Sequence, residues 1–439
     1  MEASPQSGGG TRVVMLVQND ITYDTRVRKE AESLNAHGYE VHVLGHGARG
    51  LPSREIVSGV SYHRLTVPRG LASLGLSWPR SRHSQRGSPA GEVPPLESVT
   101  RNRQKVVAAV SPVSRHTGWA LATRATLAAL RPAVVHAHDL DSTLAAWLHL
   151  RRHAGTRLIS DAHELELHRN AAWTRWTRAI ASVLELQAIR RAHAVITVSP
   201  LIADDLAVKY NIARPAVILN SPRLETRSLA PALDLRAAAG LAPDEHLVVY
   251  VGGVLWRRGH EQLVAALGHL PSSVHAGVLG ASSPEAEASL IAHASRLGVA
   301  DRLHLFGAIA PEQVPSTLRE GADATVIPIP NVCRSYDLAL PNKLFDTVMA
   351  GVPVGVGMLA HMSQFVREQG VGLIFDERDP SSIASVITDL ITGPRSRWTS
   401  AEHLDTLQRA VAWEVQEETL LSVYARLRPS DSSTSSRRS

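Results

Sequence analysis

At 439 residues the chain is too long for one core, and its 44% hydrophobic and 20% charged content fits a soluble globular protein of two domains. The formal net charge of +5 comes mainly from scattered arginines, which points weakly to an anionic ligand or membrane surface and away from a dedicated nucleic-acid binder. A single cysteine, Cys333, excludes an internal disulfide, and no zinc-type ligand spacing is present, so no metal is expected. The start, MEASPQSGGGTR, is polar, residues 1–11 read as disordered, and the apolar run Val13–Val17 is far too short to cross a bilayer. No signal peptide is expected, and the default location is cytoplasmic.

Val13–Val17 is the first expected strand, fully apolar as in a parallel sheet buried on both faces. Asp24 is placed to cap a helix from Thr25 to about Ala36, Gly38 to end it, and Glu40–Leu44 to form the second strand. This βαβ unit lacks the spaced glycines of a dinucleotide fingerprint, which counts against an oxidoreductase. Arg26, Arg28 and Lys29 fall in the helix's first turn, where cations oppose the dipole. They are either solvated there, or Arg26 turns toward a ligand at the strand's end. Gly59–Val67 reads as a third strand, residues 68–104 as a long loop, and Lys105 to Leu130 as a helix.

Ala133–Ala137 is a short strand followed directly by His138, Asp139, Leu140 and Asp141. His136 and His138 are two apart and so point the same way, whether into a core or toward a site. Leu158–Ser160 is the next strand, followed by Asp161, Ala162, His163 and Glu164. Two successive strands thus deliver histidine and carboxylate to the edge where parallel α/β sheets bind ligands. Residues 171–192 form a helix carrying Trp173, Trp176 and several arginines, suited either to packing or to a membrane interface. Strands at Ala194–Val198 and Ala216–Leu219 lead to Asn220, Ser221 and Pro222, which close a first domain of residues 12–222.

A second series begins after the segment 223–244. Leu247–Val251 leads into a turn containing Gly252, Gly253, Arg258 and Gly259, then a helix from His260. Glycines let backbone approach a phosphate, and Arg258 can bond its oxygens. Strands follow at Val274–Leu279, Leu303–Phe306 and Ala324–Ile327. In SYDLALPNKLFDTVMAGVPVGV, Pro341 opens a helix whose free N–H groups lie beside Asn342, Lys343, Asp337 and Asp346, and Gly351 ends it. This is either an ordinary αβ unit with solvated polar residues or a grip on a phosphorylated, hydroxyl-rich ligand. A strand at Val371–Ile374, a helix at Pro380–Thr392 and one long helix from about Ala401 to Leu427 complete the chain, before a disordered tail at residues 429–439. The expected fold is α/β: two doubly wound Rossmann-like domains facing a central cleft. The second spans residues 223–405, and residues 406–428 cross back to the first.

The ordered pieces NDITYDTRVRKEAESLNAHGYEV, VVHAHDLD, ISDAHEL, AVITVSPLIADDL, YVGGVLWRRG and ALPNKLFDTVMAGVPV resemble glycosyltransferases of the two-Rossmann-domain (GT-B) architecture, most nearly family four. The resemblance implies a hexosyl or glycosyl transfer (EC 2.4 type) from a nucleoside-diphosphate sugar to a hydroxyl acceptor, with retention. The acceptor would be a sugar, a lipid-linked sugar or a small molecule, in cell-envelope glycan, glycolipid, polysaccharide or natural-product synthesis. It places the donor in the second domain and the acceptor in the first, with no cofactor besides the nucleotide sugar and no nucleic-acid partner. By motif, Arg258 and Lys343 hold the diphosphate with Gly252, Gly253, Pro341 and Asn342, Asp346 holds the ribose, and His138 faces the donor sugar. Asp24, Arg26, Asp139, His163 and Glu164 lie on the acceptor side.

Two departures stand out. The first acid of the family's Glu-x7-Glu pair is Leu338, with Asp337 one residue earlier, and Gly253 replaces an arginine common in the family. They keep two alternatives open: a nucleotide-sugar 2-epimerase of the same fold, and an inactive nucleotide-binding partner subunit. A peripheral contact with the inner face of a membrane also stays open.

Overall fold

The computed structural model describes residues 10–22, 24–48, 50–66, 112–170, 174–255, 257–398 and 400–427. The expected loop at 68–104, the start of the helix expected from Lys105, the Trp173 region and the tail lie outside the described residues.

The first sheet has eight strands: β1 (Arg12–Leu16), β2 (Glu40–His46), β3 (Arg54–Val57), β4 (Val60–Leu65), β5 (Val134–His138), β6 (Arg157–Ala162), β7 (Ala194–Thr197) and β8 (Ala216–Val217). Their order is β3-β4-β2-β1-β5-β6-β7-β8, parallel apart from β3, which pairs antiparallel with β4. The strand expected at Gly59–Val67 is β4, and β3 precedes it as an antiparallel hairpin partner that the sequence reading lacks. The glycine sits in the turn with φ 80°, a conformation that costs it no steric clash.

The second sheet has six parallel strands: β9 (His246–Val251), β10 (Val274–Leu279), β11 (Leu303–Leu305), β12 (Ala324–Ile327), β13 (Val354–Val356) and β14 (Gly372–Ile374), in the order β11-β10-β9-β12-β13-β14. In each sheet the order reverses beside its first strand, between β1 and β5 and between β9 and β12. Ligands of open parallel sheets bind outside the strand ends at such reversals. Both reversals face one cleft, because residues that follow β1, β6, β9 and β12 line the same cavity.

The helix Thr25–Ala36 begins where expected: the Asp24 side chain accepts from the Val27 N–H. The single helix expected from Ala401 to Leu427 is two, Ala401–Val411 and Trp413–Leu427. Ala412 breaks them with extended backbone, and the Trp413 N–H donates to the Pro222 carbonyl instead of continuing the ladder. The second piece packs on the first domain. Trp413 is fully buried with its Nε1 donating to Ser33 Oγ at 3.0 Å, and the Tyr424 hydroxyl is hydrogen-bonded to His136 Nδ1 at 3.0 Å. The chain therefore passes between domains twice at one place, at Asn220–Pro222 and at Ala412.

Candidate active site

On the first-domain side the site is built around a buried ion cluster. Arg26 is 1% exposed. Its Nε lies 2.8 Å from Asp161 Oδ2 and 3.1 Å from Glu30 Oε1, its Nη2 donates to Asp161 Oδ1 at 3.0 Å, and its Nη1 donates to the Ile218 carbonyl. The sequence left Arg26 either solvated or turned to a ligand. It turns inward instead, because β6 places Asp161 beside it, and one edge of it still reaches the cleft. Burial opposes charge on Arg26, but Asp161 and Glu30 hold it charged. Asp161 stays well below the usual carboxylate range although burial pushes it up, since Arg26 and His163 both favour its anion. Glu30 is lifted to about 7 by burial, against the pull of Arg26.

The rings of His136 and His138 stack at 4.3 Å on one face of β5. Burial, then His138, pushes His136 well below the ordinary imidazole range. His138 is 1% exposed, and its Nδ1 lies 3.1 Å from His163 Nε2. His163, which follows β6, covers it and lines the cleft. The histidine that meets the cavity is therefore His163, not the His138 that the HAH motif suggested. Alternation along a strand put His136 and His138 on one face but could not say that the face was covered.

His163 Nδ1 lies 3.3 Å from Asp139 Oδ2 and its Nε2 3.3 Å from Asp161 Oδ2. Burial disfavours its charge, but Asp139 and Asp161 outweigh that and raise it to about 10. At neutral pH His163 is an imidazolium with both N–H groups engaged, so it offers charge rather than a free proton. Asp139 adopts φ 58°, a left-handed conformation that aspartate tolerates, and also accepts from the His163 backbone N–H. It acts through His163 and does not line the cleft. Glu164 does line it, with its carboxyl raised by burial and by Asp139.

Glu30, His136, His138 and Asp161 present ligand atoms within 4.8 Å of one another, a spacing that could hold a metal ion. The cation they enclose is the Arg26 guanidinium, which already pairs with both carboxylates.

On the second-domain side, β9 delivers Tyr250 and the turn Gly252–Gly259. A Cβ on Gly259 (φ 81°) would strike the Pro328 carbonyl, and one on Gly253 the Ala281 carbonyl. Gly253 therefore has no room for the arginine that family resemblance suggested. Lys343, in the first turn of the helix Asn342–Ala350, donates to the Tyr250 hydroxyl at 2.6 Å and lies 4.0 Å from the centre of its ring. Burial, then Arg258, pushes it well below the ordinary lysine range. Arg258 stacks 4.7 Å from the centre of the Tyr336 ring. Pro341 precedes the helix as its cap rather than serving as its first residue.

These walls enclose two adjoining cavities. One of about 580 Å³ is lined by Asp24, Arg26, His163 and Glu164 from the first domain, and by Gly252, Gly253, Arg258, Pro341, Asn342 and Lys343 from the second. The other, about 540 Å³, shares Gly252, Asn342 and Lys343 and adds Asp346, Lys29 and the Ala308–Ile309 segment. Asp337 lines neither. Its carboxylate accepts from the Ala360 N–H and Asn331 Nδ2, so it caps the helix Ala360–Gln369. Leu338, at the family's first acid, is held from the other domain by Ser199 Oγ donating to its carbonyl at 2.6 Å. Sequence reasoning missed Lys29 and Tyr250. Tyr250 carried no signal, being one apolar-looking position in a buried strand.

Residues 22–221 match the family described as glycosyl transferase 4-like domain, and residues 233–404 match glycosyl transferases group 1. The chain belongs to this glycosyltransferase family. A D-inositol 3-phosphate glycosyltransferase from Xylanimonas cellulosilytica is 26% identical over 308 residues, 66% of this chain and 71% of that one. One from Mycobacterium sp. (strain KMS) is 26% identical over 282 residues, which cover 62% of each chain. Among solved structures, a sucrose-phosphate synthase from Thermosynechococcus elongatus superposes with a TM-score of 0.72 at 19% identity, covering 95% of this glycosyltransferase and 99% of that chain. WaaG, a glycosyltransferase of lipopolysaccharide biosynthesis, gives 0.64 at 14% identity over 94% and 99%. These likenesses show the GT-B fold.

Replacing Arg26 by Met strands two carboxylates in the core of the glycosyltransferase. Breaking a buried ion pair in this way costs about 3–5 kcal/mol. Urea unfolding of Arg26→Met at pH 7 is expected to show a loss of that size; a midpoint within error of wild type would contradict it.

Proposed function

We propose that the chain transfers a sugar from a nucleoside-diphosphate donor held by the second domain to a hydroxyl acceptor entering from the first, with retention at the anomeric carbon. The observation that carries this reading is the convergence of Arg258, Lys343 and the N-terminus of the helix Asn342–Ala350 on one cavity, facing His163 and Glu164. Three sources of positive potential there match a leaving diphosphate, and preorganised groups of this kind act where charge develops in the transition state. Lys343 resists protonation while no anion is near. A diphosphate supplies the counter-charge that favours the lysine's protonated form. The acceptor hydroxyl attacks the anomeric carbon, and its proton passes to the departing phosphate. His163 lends positive charge to the sugar side, with His138 and Asp139 positioning it. Asp346 accepts the ribose hydroxyls in the second cavity. Retention rests on the family resemblance.

The donor needs no metal in this scheme, because Arg258 and Lys343 supply the charge that a divalent ion would. The two relatives from Xylanimonas cellulosilytica and Mycobacterium are D-inositol 3-phosphate glycosyltransferases by name. The acceptor proposed for this chain is broader: a sugar, lipid-linked sugar or small molecule of cell-envelope or natural-product chemistry. Neither the site nor the comparisons favour the 2-epimerase or inactive-subunit alternatives.

No helix among the described residues is long and apolar enough to cross a membrane. We further propose a cytoplasmic protein that touches the inner membrane face through the helix Arg175–Arg191. There Trp176 is 82% exposed and Val183 59%, beside exposed Arg175 and Arg178.

A thermal-shift screen across nucleoside diphosphates is expected to single out one base that stabilises the protein by mass action. With the corresponding donor, Lys343→Ala is expected to lower turnover about 10²–10³-fold, the usual cost of one transition-state donor. Unchanged turnover would remove the lysine from the mechanism. For the membrane contact, cosedimentation with anionic lipid vesicles should fall in Trp176→Ser, and equal sedimentation of both proteins would refute it.

A further inference from the structure

Lys29 stands one helical turn beyond Arg26, on the same side of the helix Thr25–Ala36. Its ammonium is anchored at the crossing between domains. Nζ donates to Asn220 Oδ1 at 3.0 Å and to the Ser221 carbonyl, and lies 4.8 Å from the centre of the Trp413 ring. Two of its three N–H groups are thereby placed, and no carboxylate lies within ion-pair distance among the described residues. Asp346, from the other domain, lines the same second cavity as Lys29. Among the described residues the Asp346 carboxylate makes no hydrogen bond or ion pair, so it is left facing the cavity. Lys343 lines this cavity as well, with its Nζ already donating to the Tyr250 hydroxyl.

We infer that Lys29 is a positioning residue for the donor: from the first domain it keeps the Asp346 carboxylate of the second ionised and ready to accept ribose hydroxyls. This rests on the donor reading given above. A carboxylate accepts through both oxygens, whereas a carboxylic acid turns one of them into a competing donor.

The electrostatics agree with the geometry. Burial lifts Asp346 to about 7, and Lys29, then Lys343, act against that rise. Burial brings Lys29 down to about 7, against the pull of Asp346. An acid raised to that range gains its anion as pH climbs through 7. Without Lys29 that gain must move to higher pH. Other charged groups around the cavity are largely spoken for. On the helix Thr25–Ala36, Arg26 is paired with Asp161 and Glu30, and Glu32 pairs with Arg223 at 3.5 Å, while Arg28 lines the wall. On the hinge side, Arg227 pairs with Asp405 and Glu414 accepts from the Leu224 N–H, with Glu225 and Glu312 at the rim.

Calorimetric affinity for the nucleoside diphosphate that best stabilises the protein tests this, measured from pH 6 to pH 9 on wild type, Lys29→Met, Lys29→Arg and Asp346→Asn. Lys29→Met is expected to bind about fivefold more weakly than wild type at pH 7 and nearly tenfold more weakly at pH 6, the effect of a one-unit shift in an acid that titrates at about 7, and to close most of that gap by pH 9. Lys29→Arg should stay near wild type, and Asp346→Asn should be weak at every pH. A Lys29→Met deficit that is the same at all pH values, or Lys29→Arg as weak as Lys29→Met, overturns the inference while Asp346→Asn remains weak. If Asp346→Asn binds like wild type, the donor reading fails first. Should Lys29→Met not fold, Lys29→Arg and Lys29→Gln carry the same comparison.

Discussion

The buried pair between Arg26 and Asp161 is the interaction on which the rest of the cleft depends. Taking two charges out of water costs several kcal/mol per ion unless geometry and further hydrogen bonds offset it. Here a two-pronged contact, a second carboxylate on Glu30 and the Ile218 carbonyl provide that compensation. The pair fixes the rotation of the helix Thr25–Ala36 against β6. That rotation carries Lys29 to the domain crossing. It also leaves Asp161 able to hold His163, which with Asp139 keeps the cleft-facing imidazole charged. A stability element and a site element are thus the same four or five side chains.

Much of the fold was legible because its signals are local. Apolar runs, helix caps and ending glycines lie within a few residues of what they specify. Asp24 capping Val27 and Gly351 at φ 66° after the helix Asn342–Ala350 are two such cases. The misses share a cause: each depends on a partner distant in sequence. The sequence leaves Arg26 either solvated or turned to a ligand, since a cation opposes the dipole in a first turn, and only β6 brings the carboxylate that draws it inward. The break at Ala412 has no glycine or proline to announce it, and exists because Trp413 docks on the first domain. Lys29 looked like one more surface cation in an arginine-rich helix, since Asp346 lies on the other domain.

The site shows the same division. Residue types and order placed Arg258, Lys343, Glu164 and the paired glycines on one cavity. They could not tell which histidine is covered. Strand periodicity gives a face, and only packing says what lies over that face, here His163 over His138. Asp337 shows the limit of a one-residue offset: a short carboxylate beside a helix start is drawn to cap that helix, and the Ala360 N–H takes it before any ligand can.

The two halves of the cleft differ in kind. The first-domain half has its charges settled internally, so it presents a fixed field. The second-domain half has charges in suspense: burial pushes Lys343 toward neutrality, and among the described residues the Asp346 carboxylate makes no hydrogen bond or ion pair. A ligand that brings negative charge beside one and hydroxyl groups beside the other resolves both at once, and a nucleoside diphosphate does this. The most direct measurement is a crystal structure with the stabilising nucleoside diphosphate bound. The account predicts phosphate oxygens within hydrogen-bond distance of both Lys343 Nζ and the Arg258 guanidinium, with ribose hydroxyls on Asp346. A diphosphate seated away from Lys343 and Arg258 would contradict it.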